Sequence, residues 1–172
     1  MDYSKNLAAI DENRDFLVST LRRMIQVNTS NPPGLNYDKL ADVTEPILKS
    51  FGFKTERVVM PLENILITKL PLKGERVNLV AKKETGLPAV TAYAHMDVVP
   101  AEGKWTHDPF SGGESGGKIW GRGSLDMKGE AACLLTALKV MNDLNIKSVF
   151  DINVVFCTDE EIGMYPGVYY LA

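Results

Sequence analysis

VTAYAHMDVV, residues 90–99, begins as an apolar run and ends in two polar side chains, His95 and Asp97. Up to Ala94 the pattern is that of a strand covered on both faces. The polar groups stand where such a strand ends, which is where open α/β sheets place their ligands. Side chains alternate along an extended chain, so His95 and Asp97 point to the same side. An imidazole with a carboxylate two residues on suits a metal ligand and its orienting partner. The carboxylate holds one ring nitrogen and leaves the other for the metal.

Upstream of this stretch, Asp11 to Val27 reads as an amphipathic helix, with Leu17, Leu21, Met24 and Ile25 on one stripe. The segment Thr29-Ser30-Asn31-Pro32-Pro33-Gly34 breaks regular structure. Leu40, Val43, Ile47, Leu48 and Phe51 mark a second helix stopped by Gly52. Pro46 inside it predicts a kink or a late start. Phe53 to Met60 and Arg76 to Lys83 read as strands, with an undefined connection between them. Downstream, Pro100 to Gly123 is a long glycine-rich loop, and Lys128 to Asn145 is the clearest helix. Its buried stripe is Ala131, Leu134, Leu135, Leu138 and Met141, and Asp126 precedes its first turn. Asp151 to Thr158 is a further core strand running into Asp159-Glu160-Glu161. This order predicts an α/β fold, a three-layer sandwich with a mainly parallel central sheet.

Composition narrows the function classes. The chain has 172 residues, 45% hydrophobic and 24% charged, as in ordinary soluble domains. A formal net charge of −3 argues against nucleic acid or an anionic membrane as partner. No apolar run is long enough to span a bilayer, and residues 1–10 lack the apolar core of a signal peptide. Cys133 and Cys157 are far apart, show no ligand-like pairing and read as packing residues. The expectation is a reduced, cytoplasmic protein.

Three polar clusters thus fall at element ends: His95 with Asp97, Asp126, and Glu160 with Glu161. One imidazole and several carboxylates suit a divalent ion, zinc first, with cobalt or manganese able to substitute. Asp126 has two oxygens and can bridge two ions roughly 3.5–4 Å apart. Adjacent residues on an extended chain point oppositely, so Glu160 and Glu161 are expected to divide the work. One binds metal, and the other takes a proton from the reacting water and passes it to a leaving amine. Asp159 is expected to support them structurally. As a helix N-cap Asp126 would spend the same oxygens on the backbone. His107 reads as a loop residue. Gly113-Glu-Ser115-Gly-Gly117 fits a nucleophile elbow, but no apolar strand leads into it. Gly112 to Lys118 nearly fits a phosphate loop, but Ile119 replaces the required Ser or Thr. A hairpin tip explains both.

HMD at 95–97, GRGSLDMKG at 121–129 and TDEEIG at 158–163 together resemble the co-catalytic zinc exopeptidases and deacylases. That family includes succinyl-diaminopimelate desuccinylase, acetylornithine deacetylase, aminoacylase and glutamate carboxypeptidase. The motif spacing (126 − 95 = 31 and 161 − 126 = 35), Asn31-Pro-Pro-Gly34 and WTHDPF at 105–110 are similar too, so the resemblance covers nearly the whole chain. It implies His95 on one metal with Asp97 orienting it, Asp126 between two zinc ions, Glu160 as general base and Glu161 on the other metal. It also implies a cis bond after Asp126. The implied reaction is amide hydrolysis of a small N-acyl amino acid or short peptide, in a desuccinylase, deacetylase, dipeptidase or carboxypeptidase. Complete members carry a further carboxylate ligand, a lid and dimerisation domain and a late histidine ligand, and they form homodimers. Residues 1–172 are therefore expected to be the N-terminal part of the catalytic domain, weak in metal binding and nearly inactive alone. A noncatalytic binding module on the same fold is the alternative.

Overall fold

Residues 151–157 occupy an inner position of the sheet in a computed structural model that describes residues 3–66, 71–163 and 167–172. Along the chain run α1 (Ser4–Glu12), α2 (Arg14–Ile25), α3 (Tyr37–Ser50), β1 (Lys54–Val59), α4 (Leu62–Leu66), β2 (Val77–Lys83) and β3 (Ala89–His95). A hairpin of β4 (Gly113–Ser115) and β5 (Lys118–Trp120) follows, then α5 (Lys128–Asp143), β6 (Asp151–Cys157), a 3₁₀ turn (Glu160–Ile162) and α6 (Val168–Leu171). Residues 67–70, within the connection that the sequence leaves undefined, lie outside the described residues.

The four-stranded sheet has the order β1-β2-β6-β3. The expected α/β sandwich is present, and its sheet is mixed. β3 and β6 are parallel, while β1 with β2 and β2 with β6 are antiparallel. A parallel pair needs a long crossover, and α5 supplies one between β3 and β6. Strand direction leaves no trace in hydrophobic periodicity, so the antiparallel half was not legible.

One hydrophobic cluster joins Leu21, Met24 and Ile25 of α2, Leu40 and Leu48 of α3, and Ala131, Leu135 and Leu138 of α5. Against them lie Val77, Leu79, Ala81, Ala94, Val154 and Phe156, the alternate residues of β2, β3 and β6. Among the described residues these helices cover one face of the sheet. β3 is therefore not buried on both sides as its composition suggests. It is an edge strand, with Val90 49% and Tyr93 36% exposed, and burial begins at Ala94 and His95.

Element limits otherwise lie close to the expected ones, with three differences. The helix expected from Asp11 starts at Arg14 as α2, and an unforeseen α1 precedes it, the two separated at Asn13, whose amide donates to the Ala9 carbonyl at 2.8 Å. Such local side-chain bonding competes with helix continuation. α3 runs through Pro46 from Tyr37. Cys133 is exposed on α5, whereas Cys157 is buried. The Ser115 segment is a hairpin tip, as expected: Gly116 and Gly117 both have positive φ, which a two-residue hairpin turn requires. Among the described residues no helix is long and apolar enough to cross a membrane.

The β2–β3 turn is held by Asp151. Its carboxylate accepts from Thr85 N at 2.9 Å, Thr85 Oγ1 at 2.6 Å, Gly86 N at 3.0 Å and Leu87 N at 3.2 Å. The Thr85 bonds, then those of Gly86 and Leu87, outweigh burial and hold its carboxyl below the usual range. A folded-state value below the unfolded one stabilises above the unfolded value of about 3.9 and loses that contribution as pH falls. Asp151→Ala should therefore lower Tm at pH 7, with a smaller deficit at pH 3. An equal deficit at both would exclude the charge as the cause.

Candidate metal centre

Parallel pairing sets the site. His95 lies opposite Cys157 in register, so the segments leaving β3 and β6 emerge side by side. The first carries Asp97, the second Asp159, Glu160 and Glu161. α5 starts at the same end, which brings in Asp126.

His95 is 4% exposed. Its Nε2 lies 2.9 Å from Asp126 Oδ1 and 3.8 Å from Glu160 Oε2, and its Nδ1 lies 3.0 Å from the Asp97 backbone oxygen. The Asp97 carboxylate is 3.5 Å from Nδ1, so the nearer contact is to the main chain rather than to the side chain. Burial pushes the imidazolium down, but hydrogen bonds and charge from Asp97, then Asp126, outweigh it and raise the group to about 9. The metal-free ring is therefore a cation at neutral pH.

The Asp97 carboxylate does something the alternation argument missed. It accepts the backbone N–H of Glu160 at 3.1 Å, that of Glu161 at 3.0 Å, and Asn31 Nδ2 at 3.2 Å. Glu160 and Glu161 begin a 3₁₀ turn rather than an extended chain. Their side chains then diverge by about a third of a turn instead of pointing oppositely. Burial raises the Glu161 carboxyl, Asp126, Asp97 and Glu160 add to that, and the His95 charge opposes it.

Ligand atoms of His95, Asp126 and Glu161 all lie within 4.8 Å of one another. One imidazole nitrogen and two carboxylate oxygens make a donor set that fits zinc and tolerates cobalt or manganese. Asp126 does not cap α5, whose N-cap is Met127 with no side-chain cap bond. The Asp126–Met127 peptide is cis, as the resemblance implies. Gly123 has φ +80°, and a Cβ there would meet Val98 Cγ1 at 2.6 Å, so the loop ahead of Asp126 needs glycine.

Five more residues surround the site, of which the sequence marked only Asp159, as a support, and Asn31, through Asn-Pro-Pro-Gly. Asn31 is carried to Asp97 by the Ser30–Val98 bridge, its N–H donating to Val98 O at 2.8 Å. Tyr37, Arg76 and Asp159 form a buried cluster behind the Glu160 turn. Lys128 is fully buried and donates to Val27 O at 2.8 Å, with burial lowering its ammonium to about 7. The Asn-Pro-Pro-Gly segment flags Asn31, but a pair separated like Arg76 and Asp159 leaves no spacing signal. His107 sits on Trp120, ring centroids 4.6 Å apart, and Arg122 stacks over Trp105.

The chain is 39% identical over 97 residues to succinyl-diaminopimelate desuccinylase of Methylobacterium radiotolerans, covering 56% of this chain and 23% of that protein. It is 28% identical over 157 residues to N-formyl-4-amino-5-aminomethyl-2-methylpyrimidine deformylase of Bacillus subtilis, covering 90% of this chain and 35% of that one. The chain thus spans between about a quarter and a third of these curated relatives. Human carnosine dipeptidase 1 shares the fold, with a TM-score of 0.75 at 22% identity over 94% of this chain and 35% of that structure. Residues 91–172, which hold all three motifs, match the model of Peptidase family M20/M25/M40.

Proposed function

We propose that this chain is the N-terminal part of the catalytic domain of a metal-dependent hydrolase that cleaves the amide bond of a small N-acyl amino acid or short peptide. The observation that carries this is the meeting of His95, Asp126 and Glu161 ligand atoms within 4.8 Å, with Glu160 beside them. The names of the relatives, a desuccinylase and a deformylase, support acyl-amide substrates. His95, Asp126 and Glu161 would hold zinc, Asp126 would also serve a second ion, and cobalt or manganese would substitute. A bound divalent ion supplies Lewis acidity, polarising a carbonyl and acidifying water.

The protein's own groups do the rest. Asp97 fixes the His95 ring through its backbone oxygen and holds the Glu160–Glu161 turn through its carboxylate. Glu160 accepts a proton from the attacking water and returns it to the leaving amine nitrogen. Among the described residues the site offers one imidazole and two carboxylates, so the chain alone binds metal weakly and turns over little substrate. A cytoplasmic setting, consistent with two free cysteines, and a homodimer of the complete enzyme belong to the same reading.

Cobalt titration of the chain tests it, read by visible absorption. The expected result is saturable binding that His95→Ala and Asp126→Ala each weaken at least about tenfold. Equal binding by the parent chain and His95→Ala would overturn the assignment.

A further inference from the structure

Arg76 and Asp159 are both fully buried, and their charges meet at 3.0 Å between Nε and Oδ2. A buried ion pair contributes little net stability, because desolvating two charges offsets most of their attraction. What distinguishes this one is how it is anchored. Arg76 Nη1 donates to Gly34 O at 2.9 Å, to Gly74 O at 3.0 Å and to Lys73 O, while Nη2 donates to Pro33 O at 3.0 Å. Its guanidinium also stacks over the Tyr37 ring, 5.6 Å from the centroid. A planar fork fastened to four main-chain carbonyls is a fixed point that cannot follow a wandering carboxylate.

Asp159 stands directly before Glu160 and adopts a left-handed backbone, φ 61° and ψ 29°, which non-glycine residues seldom do. Its Oδ1 accepts from Tyr37 OH at 3.0 Å and from Asn31 Nδ2. The same Asn31 nitrogen donates to Asp97. The reversal that starts the Glu160 turn is therefore gripped from behind by Arg76, Tyr37 and Asn31. From the front, the two amides of the turn are gripped by Asp97.

We propose that Arg76 and Asp159 are positioning residues whose buried contact fixes the Glu160–Glu161 turn against Asp97 and so sets where both glutamates stand relative to His95. This deepens the metal-hydrolase reading and rests on it. Neither residue belongs to the candidate ligand group; both act through the turn.

The double variant Arg76→Gln/Asp159→Asn tests this, since it removes both charges together and leaves neither buried alone. In the metal-free chain, amide exchange at Glu160 and Glu161 should accelerate about tenfold relative to Val154 and Val155 in β6. Cobalt affinity should fall on the order of tenfold, with an altered visible spectrum, as when groups supporting a ligand are removed. Tyr37→Phe keeps both charges and the ring, and it should give the same two changes at smaller size. It serves if the double variant does not fold. Unchanged local exchange and an unchanged cobalt spectrum in a folded variant would overturn the inference and leave the metal assignment standing. A parent chain that binds no cobalt would overturn the assignment instead, and the exchange measurement would still decide whether the ion pair sets the turn.

Discussion

In the longer metal-dependent hydrolase proposed for this chain, Glu160→Gln should lower kcat by roughly 10²- to 10⁴-fold while metal content stays at the parent level. Glutamine has nearly the same shape, so the turn and its two N–H bonds to Asp97 survive. What disappears is a carboxylate able to accept a proton. Glu160 Oε2 lies 3.8 Å from His95 Nε2 and its side chain is 29% exposed, beside the ligand group yet open to water. The loss should appear in kcat with little change in KM, the pattern of an interaction used mainly in the transition state. Glu161→Gln should instead lower the zinc content. Unchanged turnover in Glu160→Gln would remove this residue as the base, and lost zinc would make it a ligand.

The second large effect is on stability, and two buried groups oppose each other in it. His95 has a folded-state value of about 9 against about 6.5 unfolded. Its contribution is complete below pH 6.5 and is lost as pH rises through 9, a change of about 3 kcal/mol. Lys128 is the reverse case, at about 7 folded against about 10.4 unfolded. The cost of its buried charge is complete below pH 7 and is relieved as pH rises toward 10.4, by about 4–5 kcal/mol. In metal-free chain the two slopes nearly cancel between pH 7 and 9, and stability should rise above 9. Lys128→Met removes the second slope, so its stability should fall by about 3 kcal/mol from pH 6.5 to 9 and then level off. The lost bond to Val27 O adds an offset of about 1 kcal/mol that does not depend on pH. Urea unfolding with chelator across pH 6.5–10 measures both curves, and parallel curves would exclude Lys128 as the source.

The parts of the site legible in the sequence are those where chemistry and element boundaries coincide. His95, Asp97, Asp126, Glu160 and Glu161 each follow an apolar strand or precede a helix, so their order alone brings them to one end of the sheet. Helix α5 and strands β1, β2 and β6 are found within a few residues for the same reason. Periodicity reports burial, not direction, so it missed that β2 runs against β6 and that β3 is an edge. It missed α1 because that helix buries none of its residues, and so it started the first helix at Asp11 rather than Arg14. The Arg76–Asp159 contact spans 83 residues, and Arg76 is held by carbonyls of two other segments, Pro33–Gly34 and Lys73–Gly74, which no local pattern encodes.

Asp97 has the further consequence that its substitution is never a single perturbation. One carboxylate terminates two peptide amides and one side-chain amide and stands beside an imidazole. Asp97→Asn would disturb the ring and the glutamate pair in one stroke. Paired with His95 or Glu160 variants in a double-mutant cycle, it should give strongly non-additive energies, and its deficit measures a joint in the structure rather than one residue's share of it.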